Sequence, residues 1–493
     1  MKFQSTRDIS AAKLSAAQII KQGLAVDGGL FVPESIPSLT AEEIESLCHA
    51  DYPTRAAKIL GKFLTDYTKE ELLADCREAY AESSFVGGAA PVVALDETLH
   101  SMELWHGPTA AFKDMALQIM PRLLSRALVK TGETRTALIL VATSGDTGKA
   151  ALEGYKDVDR IKIAVFYPVD GVSRVQKLQM QTQTGDNVYV CAINGNFDDA
   201  QTGVKRIFSD SEAARYLNEK GYFFSSANSI NWGRLAPQIV YYVSAYCDLL
   251  NKGTLKMGEK MNVTVPTGNF GNIFAAYLAK LMGLPIDQLV CASNCNNILT
   301  DFLRTGTYDR NRAFHLTMSP SMDILISSNL ERLLYFTAGA ERTAKYMASL
   351  NQTGAYTVDA DVKAAIDESF RGYFADEEAT ASTIRKTMEK YGYLADTHTA
   401  VAISAAEQYI AETGDCKPMV VASTASPYKF AGDVYTSLYG EKASDPLAAL
   451  DELSAKTATE IPYPLCGIGE RKVRFTDVVP AANMWQAVQD YID

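Results

Sequence analysis

One lysine on a stiff turn is the residue of this chain best suited to covalent chemistry. It stands near the end of the stretch His106-Gly107-Pro108-Thr109-Ala110-Ala111-Phe112-Lys113-Asp114. Glycine frees the backbone and proline fixes φ, so the turn is stiff, and the amphipathic residues after Lys113 predict a helix. The positive end of that helix would lower the pKa of Lys113, and a lysine that sheds its proton suits Schiff-base chemistry. The alternative is a surface lysine at a loop–helix junction.

A glycine-rich loop follows the predicted strand 261–265. It contains Gly268, Asn269, Phe270, Gly271 and Asn272, and a predicted helix comes after it. Backbone N–H groups of such a loop converge on an anion, and the helix terminus adds its dipole. The loop matches neither the Walker pattern nor Gly-x-Gly-x-x-Gly. We predict a phosphate cradle, with a plain βα turn as the alternative.

Two more polar loops follow predicted strands. Ser144-Gly145-Asp146-Thr147-Gly148 follows the apolar run 137–142, and its hydroxyl and N–H groups suit a carboxylate. Helix capping by Asp146 or Thr147 would explain the same residues. Ser423-Thr424 follows the predicted strand 419–422 and could place a hydroxyl beside a ring nitrogen, although a capped turn before Pro427 is the simpler alternative. Together with Lys113 and the cradle, these loops are what pyridoxal phosphate and an amino-acid substrate require.

The elements around these loops predict an open α/β sheet. Apolar strands alternate with helices and end in polar turns, which is typical of parallel sheets that bind ligands beyond their carboxyl ends. We expect a mainly helical domain at 1–92 and an α/β domain carrying Lys113 at 93–215. A second α/β domain, with the cradle and a helical insertion, is expected at 216–435. The segment 436–493 is expected to pack on this second domain. Residues 231–250 are predicted to form one helix kinked at Pro237, and residues 301–412 to be mostly helical.

Composition excludes several classes of protein. The chain has 493 residues and a net charge of −12, which argues against nucleic-acid or anionic-membrane partners. No apolar run approaches the length of a membrane span, and the first residues lack the apolar core of a signal peptide. The eight cysteines show no zinc-site spacing. We therefore expect reduced thiols, a cytoplasmic location and no metal.

A wider set of motifs resembles the threonine synthases. That family belongs to the fold type II pyridoxal-phosphate enzymes, which are built like tryptophan synthase β from open, mostly parallel sheets flanked by helices. The N-terminal segment indicates the longer-chain branch with an added, mainly helical domain. Besides the lysine motif, the Ser-Gly-Asp-Thr-Gly loop and the cradle, the resemblance covers Gly23 to Pro33, Gly195 to Asp199, Asn228 to Arg234, Ser319 to Ile324 and Ser328 to Arg332.

The resemblance implies a role for each site residue. Lys113 would carry the cofactor as a Schiff base and move protons. The cofactor phosphate would be bound by Gly268, Asn269, Phe270, Gly271 and Asn272, and Thr424 would hydrogen-bond the pyridine nitrogen. The substrate carboxylate and the cofactor edge would be contacted by Ser144, Asp146 and Thr147. The substrate phosphate would be bound by Asn231 and Arg234, with Lys149 as a weaker candidate. For Arg234 the alternative is an ion pair on a helix surface.

The resemblance also implies a reaction, the conversion of O-phospho-L-homoserine and water to L-threonine and phosphate by a monomer or homodimer. Two alternatives stay open: a related phospho-lyase that releases 2-oxobutyrate, and a non-catalytic relative that binds pyridoxal phosphate. Many relatives carry His where this chain has Ser426, so no imidazole role is expected there. His398 is expected to be a hydrogen-bonded structural residue.

Overall fold

One mostly parallel β-sheet and one parallel β-sheet form the centre of the protein. The computed structural model describes residues 1–8, 10, 12–143, 145–170 and 172–493. Within that part of the chain the strands are β1 (Phe3–Ser5), β2 (Phe31–Pro33), β3 (Val92–Ala94), β4 (Leu99–Glu103), β5 (Thr136–Ala142), β6 (Ile161–Pro168), β7 (Val188–Asn194), β8 (Tyr222–Ser225), β9 (Met261–Pro266), β10 (Ile286–Ser293), β11 (Thr307–Asp309), β12 (Ala355–Thr357), β13 (Phe370–Phe374), β14 (Met419–Ser423) and β15 (Val478–Pro480).

Helices cover both sheets and make up most of the N-terminal region. They are α1 (Ala16–Gln22), α2 (Ala41–Cys48), α3 (Tyr52–Phe63), α4 (Lys69–Ala79), α5 (Asp114–Leu117), α6 (Met120–Lys130), α7 (Asp146–Tyr155), α8 (Arg174–Gln181), α9 (Phe197–Ser209), α10 (Ser211–Glu219), α11 (Trp232–Leu235), α12 (Pro237–Asn251), α13 (Gly271–Leu281), α14 (Ile298–Thr305), α15 (Leu330–Ala338), α16 (Ala340–Thr353), α17 (Ala360–Asp367), α18 (Glu377–Tyr391), α19 (Thr397–Thr413), α20 (Ala431–Tyr439), α21 (Ala448–Thr457) and α22 (Met484–Ile492).

The larger sheet has six strands in the order β13-β10-β9-β14-β4-β3. All neighbours are parallel except β3 and β4, which are antiparallel. Every residue of β9 and of β14 is buried, because helices cover both faces of the central strands. The carboxyl ends of β4, β9 and β14 therefore lie side by side. The prediction of an open, mostly parallel α/β sheet is confirmed.

The smaller sheet has five parallel strands in the order β15-β7-β6-β5-β8. Sheet membership differs from the predicted division of the chain. Strands β3 and β4 belong to the larger sheet, although the α/β domain with Lys113 was expected to begin at residue 93. The prediction that all of 436–493 packs on the second domain is wrong for residues 478–480, because β15 pairs with the edge strand β7.

The N-terminal region is held against helix α15 by an ion pair and hydrogen bonds to a buried carboxylate. Arg7 forms two hydrogen bonds of 2.8 Å with the carboxylate of Glu331 on α15, and the hydroxyl of Thr6 donates to the same carboxylate at 2.6 Å. Glu331 is 5% exposed. A buried carboxylate is costly without such partners, so this contact fixes the first strand against the domain that carries the cradle.

Two local predictions are corrected by proline and by sheet pairing. The predicted helix 231–250 is two helices, α11 and α12, because Pro237 has no N–H to donate and becomes the first residue of the second helix. The predicted helical region 301–412 also contains β13, a strand with Arg371 and Gly372 at its centre. Pairing with β10 stabilises this short strand, which Phe370, Tyr373 and Phe374 favour and Gly372 weakens. In the part of the chain that the structure describes, no helix is long and apolar enough to cross a membrane.

Candidate active site

The lysine turn joins the end of β4 to the end of β14. The N–H of Phe112 donates to the carbonyl of Thr424 at 2.8 Å, and the N–H of Ser426 donates to the carbonyl of Ala110 at 3.1 Å. Ala110 has a φ of 57°, in the left-handed region. The two strands are parallel neighbours, so their carboxyl ends bring the lysine motif and the final motif together.

A buried carboxylate holds the first half of the turn. Asp114 accepts hydrogen bonds from the N–H of Thr109 at 2.8 Å and from its hydroxyl at 2.7 Å. A Cβ on Gly107 would lie 2.6 Å from the side chain of Asp114, so only glycine fits there. Burial raises the pKa of Asp114 to about 6, and the two hydrogen bonds oppose that change. The stiffness expected from the sequence thus has a tertiary component as well.

Lys113 lies inside the protein with its amine close to a serine and a carboxylate. Its Nζ is 3.5 Å from Oγ of Ser321 and 3.7 Å from Oδ2 of Asp146. Burial lowers the pKa of Lys113 to about 8; Asp146 opposes this change, and the cations Arg234 and Lys429 add to it. The lowered pKa agrees with the prediction, but its first cause is burial, since α5 has only four residues and a weak dipole. The alternative of a surface lysine is wrong.

The cradle loop lies between β9 and α13. Phe270 has a φ of 62° and precedes the first residue of α13. The carbonyl of Asn269 accepts from the N–H and Nδ2 of Asn329 at 3.0 and 2.9 Å, and the carbonyl of Gly268 accepts from Oγ of Ser327 at 2.7 Å. A Cβ on Gly268 would lie 2.6 Å from the carbonyl oxygen of Ser321. These contacts fix the loop's carbonyl groups, while the first N–H groups of α13 have no partner within the helix.

A buried amide at this helix terminus also has a free donor. Oδ1 of Asn272 accepts hydrogen bonds from the hydroxyls of Tyr241 and Tyr242, both at 2.5 Å. Its Nδ2 is buried and has no partner among the described residues. An unpaired buried donor is costly, and an anion at the terminus of α13 would satisfy it. The cradle, this donor and the nearby amine of Lys113 fit the phosphate and the aldehyde of pyridoxal phosphate.

The Ser-Gly-Asp-Thr-Gly loop follows β5 of the smaller sheet. Ser144 lies outside the described residues. Oγ1 of Thr143 accepts the N–H groups of Gly145 and Gly148 at 3.0 and 2.9 Å and closes the loop. Thr147 begins α7 with Asp146 and is half-buried. Its contact with a substrate carboxylate stays a prediction.

Asp146 is placed between two lysines. Its Oδ1 accepts from Nε2 of Gln176 at 2.8 Å and lies 2.9 Å from Nζ of Lys429. Burial alone would raise the pKa of Asp146, but Lys429 and then Lys113 hold it below its usual value. An ionised carboxylate repels a second one, so the structure assigns Asp146 to the lysines, in disagreement with the expected contact with the substrate carboxylate.

The two residues expected at the substrate phosphate have different surroundings. The amide of Asn231 donates to the carbonyls of Ile20 at 2.9 Å and Ser226 at 3.3 Å, and its Oδ1 accepts the N–H of Gly233 at 2.9 Å. This side chain caps α11 and has no donor left for a phosphate. The structure therefore assigns Asn231 to positioning of the helix that carries Arg234.

Arg234 is 6% exposed, and its Nη1 donates to the carbonyl of Ala227 at 2.9 Å. Burial lowers the pKa of Arg234 to about 10, and in the described part of the chain no carboxylate contributes to this pKa. The alternative of a surface ion pair is wrong. Lys149, the weaker candidate, pairs with Glu153 at 2.8 Å and borders a separate cavity of about 1200 Å³ behind the lysine turn.

The final motif and His398 complete the surroundings of Lys113. Thr424 is 5% exposed at the end of β14. Oγ of Ser426 accepts the N–H of Tyr428 at 3.3 Å and caps a short helical turn. Nδ1 of His398 is 3.0 Å from Oδ1 of Asp396, and its Nε2 accepts the N–H of Ser321 at 3.2 Å. Both ring nitrogens are therefore occupied, as expected of a structural histidine.

Three family models match most of the chain. Residues 2–80 match the model for the threonine synthase N terminus, residues 91–425 that for pyridoxal-phosphate dependent enzymes, and residues 399–492 that for the threonine synthase C-terminal region. The threonine synthase of Pseudomonas aeruginosa is 38% identical over 460 residues, which is 92% of this chain and 93% of that protein. The chain belongs to the threonine synthase family.

Solved structures of the family have the same fold. The crystal structure of yeast threonine synthase superposes with a TM-score of 0.90 at 32% identity and covers 100% of this chain and 98% of that one. A pyridoxal-phosphate-bound threonine synthase from Brucella melitensis gives 0.88 at 38% identity, with the same coverage. The fold type II prediction is confirmed. The human protein named threonine synthase-like 1 is 40% identical over 455 residues, which is 88% of this chain but 60% of that protein, so the chain spans about three-fifths of that relative.

Three residues of the candidate site were not assigned a role from the sequence. Ser321 and Asn329 lie in motifs of the family resemblance but far along the chain from the residues they contact. Lys429 lies between the aromatic residues Tyr428 and Phe430, but such a setting is as compatible with an exposed amine as with a buried one. No local signal therefore marked Lys429. Nothing local marked Ser321.

Proposed function

We propose that the protein is a threonine synthase that converts O-phospho-L-homoserine and water to L-threonine and phosphate with pyridoxal phosphate as cofactor. The proposal places it at the last step of threonine biosynthesis. The observation that carries it is the convergence of Lys113, the cradle and the cation of Arg234, which has no carboxylate partner among the described residues, at the carboxyl ends of the sheets. A phosphorylated cofactor and a phosphorylated substrate require two anion sites, and this arrangement would supply both.

The roles proposed for the residues follow their contacts. The N–H groups of residues 268–272 and the free amide of Asn272 would bind the cofactor phosphate, and Lys113 would bind its aldehyde carbon. The hydroxyl of Thr424 would hydrogen-bond the ring nitrogen. When bound, the cofactor supplies an electron sink for loss of the substrate's α-proton. Thr147 and the start of α7 would hold the substrate carboxylate.

The proposal assigns proton transfer to Lys113 and the leaving group to Arg234. Lys113 would accept the proton from Cα and the proton that leaves Cβ as the phosphate departs from Cγ. It would return protons to Cγ and, after water has added at Cβ, to Cα, because a pKa of about 8 lets one amine act in both directions near neutral pH. Arg234 would pair with the phosphate ester of the substrate and stabilise its charge as the bond to Cγ breaks. Burial of the site limits access of bulk water to the reacting carbons, and one water is needed at Cβ.

Product identity is the decisive experiment. Purified protein is incubated with O-phosphohomoserine, and threonine, phosphate and 2-oxobutyrate are quantified. Threonine and phosphate in equal amounts support the proposal. Phosphate with 2-oxobutyrate would indicate the phospho-lyase, and no phosphate at all would favour the non-catalytic relative. Borohydride reduction followed by peptide mapping should find the cofactor on Lys113.

The remaining parts of the proposal concern location and assembly. A cytoplasmic location is supported by the eight cysteines, all of which are unpaired. A monomer or homodimer acting on a small molecule is the proposed assembly.

A further inference from the structure

A second buried lysine lies behind Lys113. The side chain of Lys429 has 0% exposure. Its Nζ donates to the carbonyl of Thr109 at 2.9 Å and lies 2.9 Å from Oδ1 of Asp146. It therefore connects three segments that are distant in sequence, namely the lysine turn, the start of α7 and the turn after β14. A buried ammonium is kept in a protein only where such partners compensate the loss of water.

The carboxylate of Asp146 is shared unequally between the two lysines. One oxygen is at 2.9 Å from Lys429, and the other is at 3.7 Å from Lys113. Gln176 donates to the oxygen that faces Lys429. The carboxylate is therefore held on the Lys429 side, outside hydrogen-bonding distance of Lys113.

We propose that Lys429 is a positioning residue that keeps Asp146 from forming a close ion pair with Lys113, so that the amine of Lys113 is ready to lose its proton. The inference rests on the proposed function in that it treats Lys113 as the residue that binds the cofactor. Lys429 itself does not touch the reacting atoms. It acts through Asp146 and through its own charge.

Among the described residues, four charged groups act on Lys113, and their effects determine whether its pKa should rise or fall. Asp146 from α7 and Asp114 from its own helix favour the ammonium, whereas Arg234 from α11 and Lys429 oppose it. Removing the charge of Lys429 deletes one opposing cation. It also frees Asp146 to approach Lys113. Both consequences raise the pKa of Lys113.

The test measures the pKa of Lys113 directly in the full chain after its cofactor has been removed. Acetic anhydride at trace concentration labels amines only in the unprotonated form, and mass spectrometry of the peptide with Lys113 gives its reaction rate at each pH. The wild-type midpoint is expected at about 8. Lys429→Met should move the midpoint upward by about one unit or more, so that labelling near pH 7 slows about tenfold. Lys429→Arg keeps the positive charge and should therefore leave the midpoint of Lys113 at its wild-type value.

Lys149→Met is the matched control. Lys149 is also buried and paired with a carboxylate, Glu153, but it is not among the groups with the largest effects on the pKa of Lys113. Its removal should leave the midpoint of Lys113 unchanged. An unchanged midpoint in Lys429→Met, or an equal shift in Lys149→Met, would overturn the proposal. If Lys429→Met does not fold, Lys429→Gln keeps a donor for the carbonyl of Thr109 and removes only the charge, and the same midpoint decides.

The outcome is independent of the proposed reaction. A protein that binds pyridoxal phosphate without making threonine would still show the shift, since labelling needs neither substrate nor cofactor. Conversely, threonine formation with an unshifted midpoint would uphold the reaction and refute the role of Lys429. The two conclusions are therefore tested separately.

Discussion

Replacing Arg234 by methionine should weaken phosphate binding without destabilising the unliganded protein. The pKa of Arg234 is about 10, against 12.5 for a solvated guanidinium. Because one pKa unit corresponds to about 1.4 kcal/mol, burying the charged guanidinium of Arg234 costs about 3 kcal/mol. Among the described residues, the carbonyl of Ala227 and the side chain of Tyr155 offset part of it. A substrate phosphate would supply the missing charge. Loss of a charged hydrogen-bond partner costs about 1.5–3 kcal/mol, so the KM for O-phosphohomoserine should rise about 10- to 150-fold.

The same variant should unfold at the same temperature as the wild type or above it, because methionine fills a similar volume and carries no charge to bury. Arg332→Met is the matched control. Arg332 is also buried, and burial lowers its pKa to about 9, but its guanidinium donates to the carbonyls of Phe31 and Ile230 and to Asn329. Its removal leaves three acceptors unpaired and should lower the melting temperature.

Two assays decide between the readings of Arg234. Steady-state kinetics and inhibition by a phosphonate analogue measure phosphate recognition, and thermal unfolding of the cofactor-free protein measures stability. If Arg234→Met melts as early as Arg332→Met and keeps a wild-type KM, Arg234 is a structural residue and the reasoning fails.

Three other changes test the remaining parts of the site. Thr424→Asp would raise the pKa of the ring nitrogen, so we expect slower threonine formation and more pyridoxamine phosphate from transamination. Thr424→Ser keeps the hydroxyl and should change both rates little. Unchanged yields of both products in Thr424→Asp would show that residue 424 does not touch the ring. Gly268→Ala should lower cofactor affinity in equilibrium dialysis by about tenfold or more, because its Cβ would lie 2.6 Å from the carbonyl oxygen of Ser321. In Gly271→Ala the nearest atom to the new Cβ, Nδ2 of Asn329, is 3.4 Å away, so this variant should bind the cofactor normally. Between pH 8 and 10.5 the native state has released the proton of Lys113 and the unfolded state has not. The free energy of unfolding of the cofactor-free wild type should therefore rise by up to about 3 kcal/mol relative to Lys113→Met, and denaturant titrations that show a constant difference would contradict the lowered pKa.

The parts of the site that were predictable have local signals. A stiff turn before Lys113 and a glycine-rich strand-to-helix loop at 268–272 each combine conformation and chemistry within nine residues or fewer. The buried strands β5 and β14 are likewise marked by continuous apolar runs. These features depend on neighbours in sequence, so periodicity and turn chemistry were sufficient.

The parts that were not predictable depend on distant contacts. Ser321 meets Lys113 across 208 residues, and Lys429 meets Thr109 across 320. The low pKa of Lys113 was expected from a helix dipole, but it comes from burial beneath elements that no local pattern identifies. The cap formed by Asn231 is local, because its Oδ1 accepts the N–H of Gly233, but the engagement of its amide was hidden, since the partner Ile20 is 211 residues away.

The pairing of β4 with β14 sets the order in which the protein can become active during its synthesis. β4 leaves the ribosome about 300 residues before β14, yet the two strands are adjacent in the finished sheet. Until β14 has been made, Phe112 lacks the carbonyl of Thr424, and the lysine turn has no fixed place. Pairing over such a sequence distance is slow, because the whole intervening chain must first be ordered. The nascent chain therefore carries its reactive amine unassembled through most of translation. Capture of the cofactor becomes a late step of folding.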